Sequence, residues 1–179
     1  MLTRKSQVWI ETVIYTLIGL TVIGLLLTFA KPKIEEIRDK AVIEQTIEAL
    51  TKFDSAMSDI TVASGNKKFV FFTLKKGQLE IDAIQNKVMV TLKDSKYVYT
   101  EPNKNITYAR LNIADLMIET EKNKTTNVMM WLDYNDRLDF TYDYQEQVKT
   151  FPSATTPYKI ALYNKESIGG TSKVDISIA

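Results

Sequence analysis

The chain has 179 residues, 45% of them hydrophobic, which is enough for one folded domain with a core of its own. Its 23 basic and 22 acidic residues leave no basic field that would attract nucleic acid, so we expect no nucleic-acid partner. The sequence contains no His and no Cys, which excludes His-activated nucleophiles, His-based metal centres, thiol chemistry and disulfides. We therefore expect no catalytic residue, no cofactor and no metal site, and we expect that the protein is not an enzyme.

The first element is an apolar run at residues 12–30, which is 19 residues long and carries no charge. At about 1.5 Å per helical residue it covers about 28 Å, close to the thickness of the hydrocarbon core of a bilayer. Arg4 and Lys5 precede it, and basic residues of this kind favour the cytoplasmic side. The run predicts a transmembrane helix with a cytoplasmic N-terminus and the rest of the chain outside.

Beyond Pro32 the apolar residues recur at three- and four-residue steps, which is typical of an amphipathic helix. We expect one long helix over residues 7–58, kinked at Pro32 where the membrane ends. The recurring apolar positions are Ile34, Ile37, Ala41, Ile43, Ile47, Leu50, Phe53 and Met57.

After residues 64–66 the hydrophobic period falls to two, which indicates strands. Residues 113–120 fit either a short helix or a strand, and a hairpin turn is expected at residues 134–137. The predicted fold class is α+β: a long N-terminal α-helix, transmembrane and then amphipathic, followed by an antiparallel β-rich head at residues 59–179. The expected strands are 68–74, 78–83, 87–92, 97–99, 106–112, 127–133, 138–144, 158–163 and 173–178.

The junction before the apolar run reads Arg4-Lys5-Ser6-Gln7-Val8-Trp9-Ile10-Glu11. It resembles the class III signal peptide of archaeal type IV pilins: a short basic leader, a small residue at its end, and an acid near the start of the helix. The resemblance implies a leader at residues 1–6, cleavage between Ser6 and Gln7 by a prepilin peptidase, and Glu11 as the fifth residue of the mature protein. Trp9 departs from the pattern, because this subset of pilins often has Ser there.

Glu11 attracts notice on physical grounds too, because an acid at the mouth of a membrane segment costs several kcal/mol unless it is neutralised. The amine of Gln7 that cleavage would free, in the same or an adjacent subunit, could neutralise it and set the register between packed helices. The alternative is that Glu11 lies at the membrane interface in water, as polar flanking residues usually do.

The resemblance implies a structural subunit of a type IV pilus-like surface filament. Its partners would be the peptidase, other copies of the chain, an assembly platform with its ATPase, and membrane lipid before assembly. Two alternatives remain. The run could be a secretory signal peptide cleaved after Ala30, where Thr28 and Ala30 provide small residues. The chain could also be a non-polymerising membrane-anchored binding protein or a minor pseudopilin.

Weaker signals lie in the head. Asn105-Ile106-Thr107 and Asn123-Lys124-Thr125 are acceptor sequences for N-glycosylation. The aromatic residues between 131 and 144 suit either adhesion or, as we prefer, packing between strands. An acidic series could suggest calcium, but its spacing fits no known loop, and we interpret it as a solvated hairpin. Its members are Asp133, Asp136, Asp139 and Asp143.

Overall fold

A computed structural model describes residues 4–168 and 171–179. One helix, α1, extends over Arg4–Thr61 and continues through Pro32. The predicted long N-terminal helix is therefore confirmed, and it ends three residues later than expected. The chain divides into two compact units with the boundary between Arg38 and Asp39. The second unit contains the last part of α1 together with all the strands.

The strands form two sheets. The four-stranded sheet has the order β1-β9-β10-β7, and the six-stranded sheet has the order β4-β5-β6-β3-β2-β8. Pairing is antiparallel except between β7 and β10, which are parallel, so the prediction of an antiparallel-rich head is confirmed. The strands are β1 Lys67–Phe72, β2 Gln78–Asp82, β3 Lys87–Leu92, β4 Asn105–Arg110, β5 Asp115–Lys122, β6 Thr126–Asp133, β7 Asp139–Tyr142, β8 Val148–Pro152, β9 Tyr158–Ile168 and β10 Thr171–Ile178.

Buried and outward-facing residues alternate along the strands, and the buried ones form one core. In β3 the buried residues are Val88, Val90 and Leu92, and the residues between them face outward. The buried face of α1 contributes to the same core as the inner faces of both sheets, and Leu50 and Phe53 are fully buried there. Burial of apolar surface stabilises the folded state by roughly 25 cal/mol per Å². A head of this size can therefore be stable without disulfides.

Four details of the strand prediction were wrong or incomplete. Residues 97–99 form no strand; instead the rings of Tyr97 and Tyr99 pack edge to face, with 6.2 Å between their centroids. The hairpin expected at residues 134–137 does not exist, because β6 and β7 belong to different sheets. The ambiguous segment 113–120 contains a strand, β5, and β8 was not predicted at all.

Buried polar side chains tie α1 to the strands of the second unit. The Asp54 carboxylate, fully buried, accepts hydrogen bonds from the backbone N–H groups of Asn112 (2.8 Å), Ile113 (3.3 Å) and Ala114 (2.9 Å). The Asn164 amide of β9 donates to the carbonyl oxygens of Ile60 and Ala63, at 2.9 and 3.0 Å. Because the last carbonyls of a helix have no partner within it, Asn164 caps α1 from a distant strand.

Asp39 makes a third such link. Its carboxylate accepts the Lys76 ammonium at 2.6 Å and the Lys96 backbone N–H at 2.7 Å. Only 6% of the Asp39 side chain is exposed, so both partners are needed to offset the loss of its hydration. The position of α1 in the second unit is thus fixed by directional bonds at Asp39, Asp54 and Asn164 as well as by apolar packing.

Candidate functional site in the N-terminal helix

The apolar part of α1 belongs to the first unit and exposes its side chains. Every side chain from residue 8 to residue 34 is exposed, and Trp9 and Phe29 are 71% and 76% exposed. The most apolar 18-residue window has a mean hydropathy of 2.3, and none of it is buried. An exposed apolar surface of this extent is costly in water. In length and composition, the segment is compatible with a single membrane span.

The threonine hydroxyls of the segment are satisfied within the helix. Thr12, Thr16, Thr21 and Thr28 each donate to the carbonyl oxygen four residues earlier, at distances of 2.7 to 2.9 Å. A hydroxyl in hydrocarbon without a hydrogen bond costs several kcal/mol, so these bonds make the segment more compatible with lipid than its composition suggests. These bonds could have been predicted from the sequence, because a threonine hydroxyl in a helix commonly donates to the carbonyl oxygen four residues earlier.

Two glycines interrupt the segment. A side chain at Gly19 or Gly24 would meet nothing within 4 Å, so neither glycine is required by packing inside the chain. The two glycines are five residues apart, so they point in directions about 140° apart around the helix axis. They therefore do not form one continuous groove. Each instead offers a separate place where a neighbouring helix could approach closely.

The predicted processing residues lie at the beginning of α1. The backbone of Ser6 and Gln7 is helical, their side chains are not described, and residues 1–3 of the predicted leader lie outside the described residues. Glu11 is exposed on the helix and is the only charged residue between Gln7 and Ala30. Glu11 thus follows Gln7 by four residues, about one helical turn, in a continuous helix, whereas cleavage and the pairing with the freed amine stay predictions.

The two predicted glycosylation residues are both accessible. Asn105 begins β4, an edge strand, and Asn123 lies in the turn between β5 and β6. The Asn123 amide donates to the Glu121 carboxylate at 2.6 Å. Both side chains are exposed, so a transferase could reach either of them, and their modification stays a prediction.

The acidic series does not converge. Asp133 pairs with Lys87 at 4.0 Å, Asp136 lies in the turn after β6 with φ of +62°, and Asp139 accepts an amide hydrogen from Asn86. In the described part of the chain, no three acidic residues are grouped in a way that could hold a metal ion. The acids are dispersed because β6 and β7 enter different sheets.

The head has shallow depressions. One of about 160 Å³ borders Thr141 and Lys165, and another of about 360 Å³ is lined by Asp115, Asp133 and Arg137. In the second depression the Arg137 guanidinium donates to the Asp115 carboxylate at 2.9 Å, while Asp133 and Asp136 keep the lining acidic. Small-molecule sites usually enclose about 300–1,000 Å³ of mostly apolar space, and neither depression is of that kind.

Three tyrosines in the head have raised pKa values because burial disfavours the phenolate. The pKa of Tyr99 rises to about 12, first through burial and then through a hydrogen bond with Tyr108. Burial, reinforced by the nearby Asp54 carboxylate, raises the pKa of Tyr134 well above its ordinary value. The Tyr134 hydroxyl nevertheless has no well-aligned hydrogen-bond partner among the described residues. Burial, reinforced by Asp143, also raises the pKa of Tyr142. These tyrosines therefore belong to the packing of the head.

No protein family, characterised protein or solved structure matches this chain.

Proposed function

We propose that the chain is a structural subunit of a type IV pilus-like surface filament, processed between Ser6 and Gln7 and assembled through its N-terminal helix. The observation that carries the proposal is the exposed apolar segment of α1 at residues 12–30, which is directly preceded by one acid, Glu11. A simple anchor needs only the apolar segment, and its Glu11 would lie in water at the membrane interface. A packed bundle of helices uses both.

Assembly would replace lipid by neighbouring helices around the apolar segment. Because lipid tails are as apolar as the helix, the gain comes from close packing, to which Gly19 and Gly24 would contribute, and from polar pairs. The Glu11 carboxylate would pair with the amine of Gln7 from an adjacent subunit. Such a pair is favoured where water is excluded, and it fixes how far one helix is displaced along the next.

The orientation follows from the basic residues at the N-terminus. Arg4 and Lys5 would keep the leader in the cytoplasm, where the prepilin peptidase would act, and the head with Asn105 and Asn123 would be outside. An assembly platform with its ATPase would then extract the mature subunit from the membrane. An anchored receptor would have the same orientation, so the preference for a filament rests on the resemblance of residues 4–11 and not on the topology.

The N-terminus of the native protein tests processing. We expect mass spectrometry of the protein purified from its own cells to find Gln7 as the first residue. An intact Met1, or a first residue after Ala30, would overturn the pilin proposal. A start at Gln7 combined with an absence of filaments containing this chain in electron micrographs would favour the minor pseudopilin over the major subunit.

A second experiment tests assembly. Glu11→Gln removes the charge and keeps the shape, so we expect cleavage and membrane insertion to continue while filament yield falls at least about tenfold, the effect of losing an interaction of about 1.4 kcal/mol per subunit. Glu44→Gln is the matched control, because Glu44 is exposed on the same helix and forms only a long ion pair of 3.9 Å with Lys40. Equal filament yields from the two variants would contradict the role of Glu11.

A further inference from the structure

The outer face of the four-stranded sheet is basic and aromatic. Phe69 and Phe71 of β1 are 44% and 67% exposed, although both are large apolar residues. The Lys159 and Lys67 ammonium groups lie 4.3 and 5.4 Å from the centre of the Phe69 ring. Register places Phe71 beside Lys159 and Phe69 beside Ala161, so the aromatic and basic residues form one continuous patch. We call this the phenylalanine-lysine face.

Among the described side chains, the acids on that sheet are Asp139 of the edge strand β7, which accepts an amide hydrogen from Asn86, and Asp175 of β10. Asp175 is buried; its carboxylate accepts the Thr141 hydroxyl at 2.5 Å and the Tyr144 backbone N–H at 2.7 Å, and it lies 3.7 Å from the Lys165 ammonium. Nothing acidic is described beside Lys67 or Lys159 on the outer side of β1 and β9. The half of the face formed by β1 and β9 therefore has a positive charge that its own sheet leaves unbalanced.

The outer face of the six-stranded sheet has the opposite character. Met117, Trp131 and Met89 are neighbours across β5, β6 and β3, and Glu80 of β2 continues their row. Met129 lies between Glu119 and Thr91 in the next row. All four apolar side chains are half-exposed. We call this the methionine-acid face. Its outward strand positions hold the acids Glu80, Asp82, Asp115, Glu119, Glu121 and Asp133 and the bases Lys87 and Arg110, whereas Lys122 and Lys149 occupy the alternate positions of the same strands.

We propose that the phenylalanine-lysine face of one head docks on the methionine-acid face of a second copy. Each face has an apolar centre, and the charges around the two centres are of opposite sign. Like faces would bring equal charges together, which costs several kcal/mol, whereas unlike faces attract. The inference rests on the proposed filament, since it assigns the head surfaces that would meet within it.

The geometry explains why this contact would extend. The two faces are the outward sides of two different sheets that share one core, so a subunit that uses one face for a neighbour still has the other free. Such a head-to-tail contact does not close on two copies and continues as a chain of subunits.

The contact between two heads is too small to be stable without the packing of the N-terminal helices. Four strands spaced about 4.8 Å apart and about 20 Å long offer about 400 Å² per copy, or about 800 Å² in total. A stable pair of proteins usually buries at least about 1,200 Å². The head contact would therefore stabilise an assembly that is already held by its helices, and would not form a lasting dimer alone.

Cysteine cross-linking tests the proposal cleanly, because the full-length chain has no cysteine of its own. Ser177→Cys lies on the outer face of β10, and Thr91→Cys lies on the outer face of β3; both are conservative and leave the charged and aromatic residues in place. We expect a short bifunctional maleimide, added to intact cells, to give a ladder of multimers with the double variant. Each single variant should give none, and cells that express both single variants should give dimers.

The control pairs Ser177→Cys with Thr155→Cys, since Thr155 is exposed in the loop between β8 and β9 and belongs to neither face. Dimers from one single variant would show that a face meets itself and would overturn the head-to-tail contact. Filaments that begin at Gln7 but give no ladder would overturn this inference and leave the proposed function intact. An intact Met1 in the unsubstituted chain would instead overturn the proposed function.

Charge reversal gives a second, independent measurement. Lys67→Glu combined with Lys159→Glu should lower the cross-linked product of the double-cysteine chain at least about tenfold, because acids would then face acids. Adding Glu80→Lys and Glu119→Lys to the same chain should restore it. These four residues lie on outward faces of their sheets, so a failure of rescue would count against the contact and not against folding.

Discussion

The buried carboxylate of Asp54 allows a quantitative test of how the head holds its helix. In Asp54→Asn one of the two oxygens becomes an NH₂ group, which cannot accept a hydrogen bond. Either the Ala114 N–H, or those of Asn112 and Ile113, then faces a donor. An unsatisfied buried N–H costs about 1–3 kcal/mol, and the remaining bonds lose the assistance of the negative charge. We expect a loss of about 2–4 kcal/mol in the free energy of unfolding.

The assay is guanidinium unfolding of the full-length chain in detergent micelles. The chain has two tryptophans, so a Trp9→Phe background leaves Trp131 in β6 as a fluorescence reporter of the head. Asp59→Asn is the matched control on the same helix: Asp59 is 58% exposed and pairs with Lys68, and surface pairs contribute at most about 1 kcal/mol. If the Asp54 variant lost no more stability than the Asp59 variant, with equal denaturant slopes, the reasoning about buried N–H groups would be refuted.

Three further outcomes follow from the head. Gly77 has φ of +93°, and a side chain there would come within 2.3 Å of the Thr91 carbonyl oxygen, so we expect Gly77→Ala to cost about 2–4 kcal/mol. Gly65→Ala, at φ of +82° with open space around it, should cost only about 1 kcal/mol in the same unfolding assay. Tyr134→Phe should leave stability unchanged or raise it by about 1 kcal/mol, because the hydroxyl is buried without a partner; a clear loss would show that it bonds the nearby carboxylate. The folded chain raises the pKa of Tyr99 to about 12, whereas a tyrosine in an unfolded chain has a pKa of about 10. The Tyr99 hydroxyl therefore contributes fully to the free energy of unfolding below about pH 10, and this contribution is lost as the pH rises through about 12. Melting temperatures measured between pH 9 and 12 should fall less steeply in Tyr99→Phe, and identical slopes would contradict the assignment.

Much of the fold could be predicted because its signals are local. The uncharged run at residues 12–30 and the three- and four-residue period after Pro32 predicted one long helix, and alternation predicted most strands. What failed depends on contacts distant in sequence. β8 has exposed Val148 and Lys149 and was missed because it shows little alternation, and only its pairing with β2 makes it a strand. The turn residues at 134–137 looked like a hairpin, yet tertiary packing sends β6 and β7 to different sheets.

The candidate site was predicted only in part. Composition identified the apolar segment and Glu11, but the three polar links at Asp39, Asp54 and Asn164 could not be seen in the sequence. Each is an ordinary surface residue by type, and each becomes a buried anchor only because a loop or strand 37 to 104 residues away supplies its partner. The outward faces of the two sheets were likewise invisible until the strand order placed Phe69 beside Lys159 and Trp131 beside two methionines.

The internal hydrogen bonds of the threonines have a consequence for how the helix could change surroundings. Because these four hydroxyls already have acceptors in the backbone of their own helix, the segment can exchange lipid for protein without breaking any of their hydrogen bonds. By the same reasoning, these hydroxyls give no information about position, and a bundle built from them alone could slide. Discrimination between one register and the next would then fall on the single charge at Glu11.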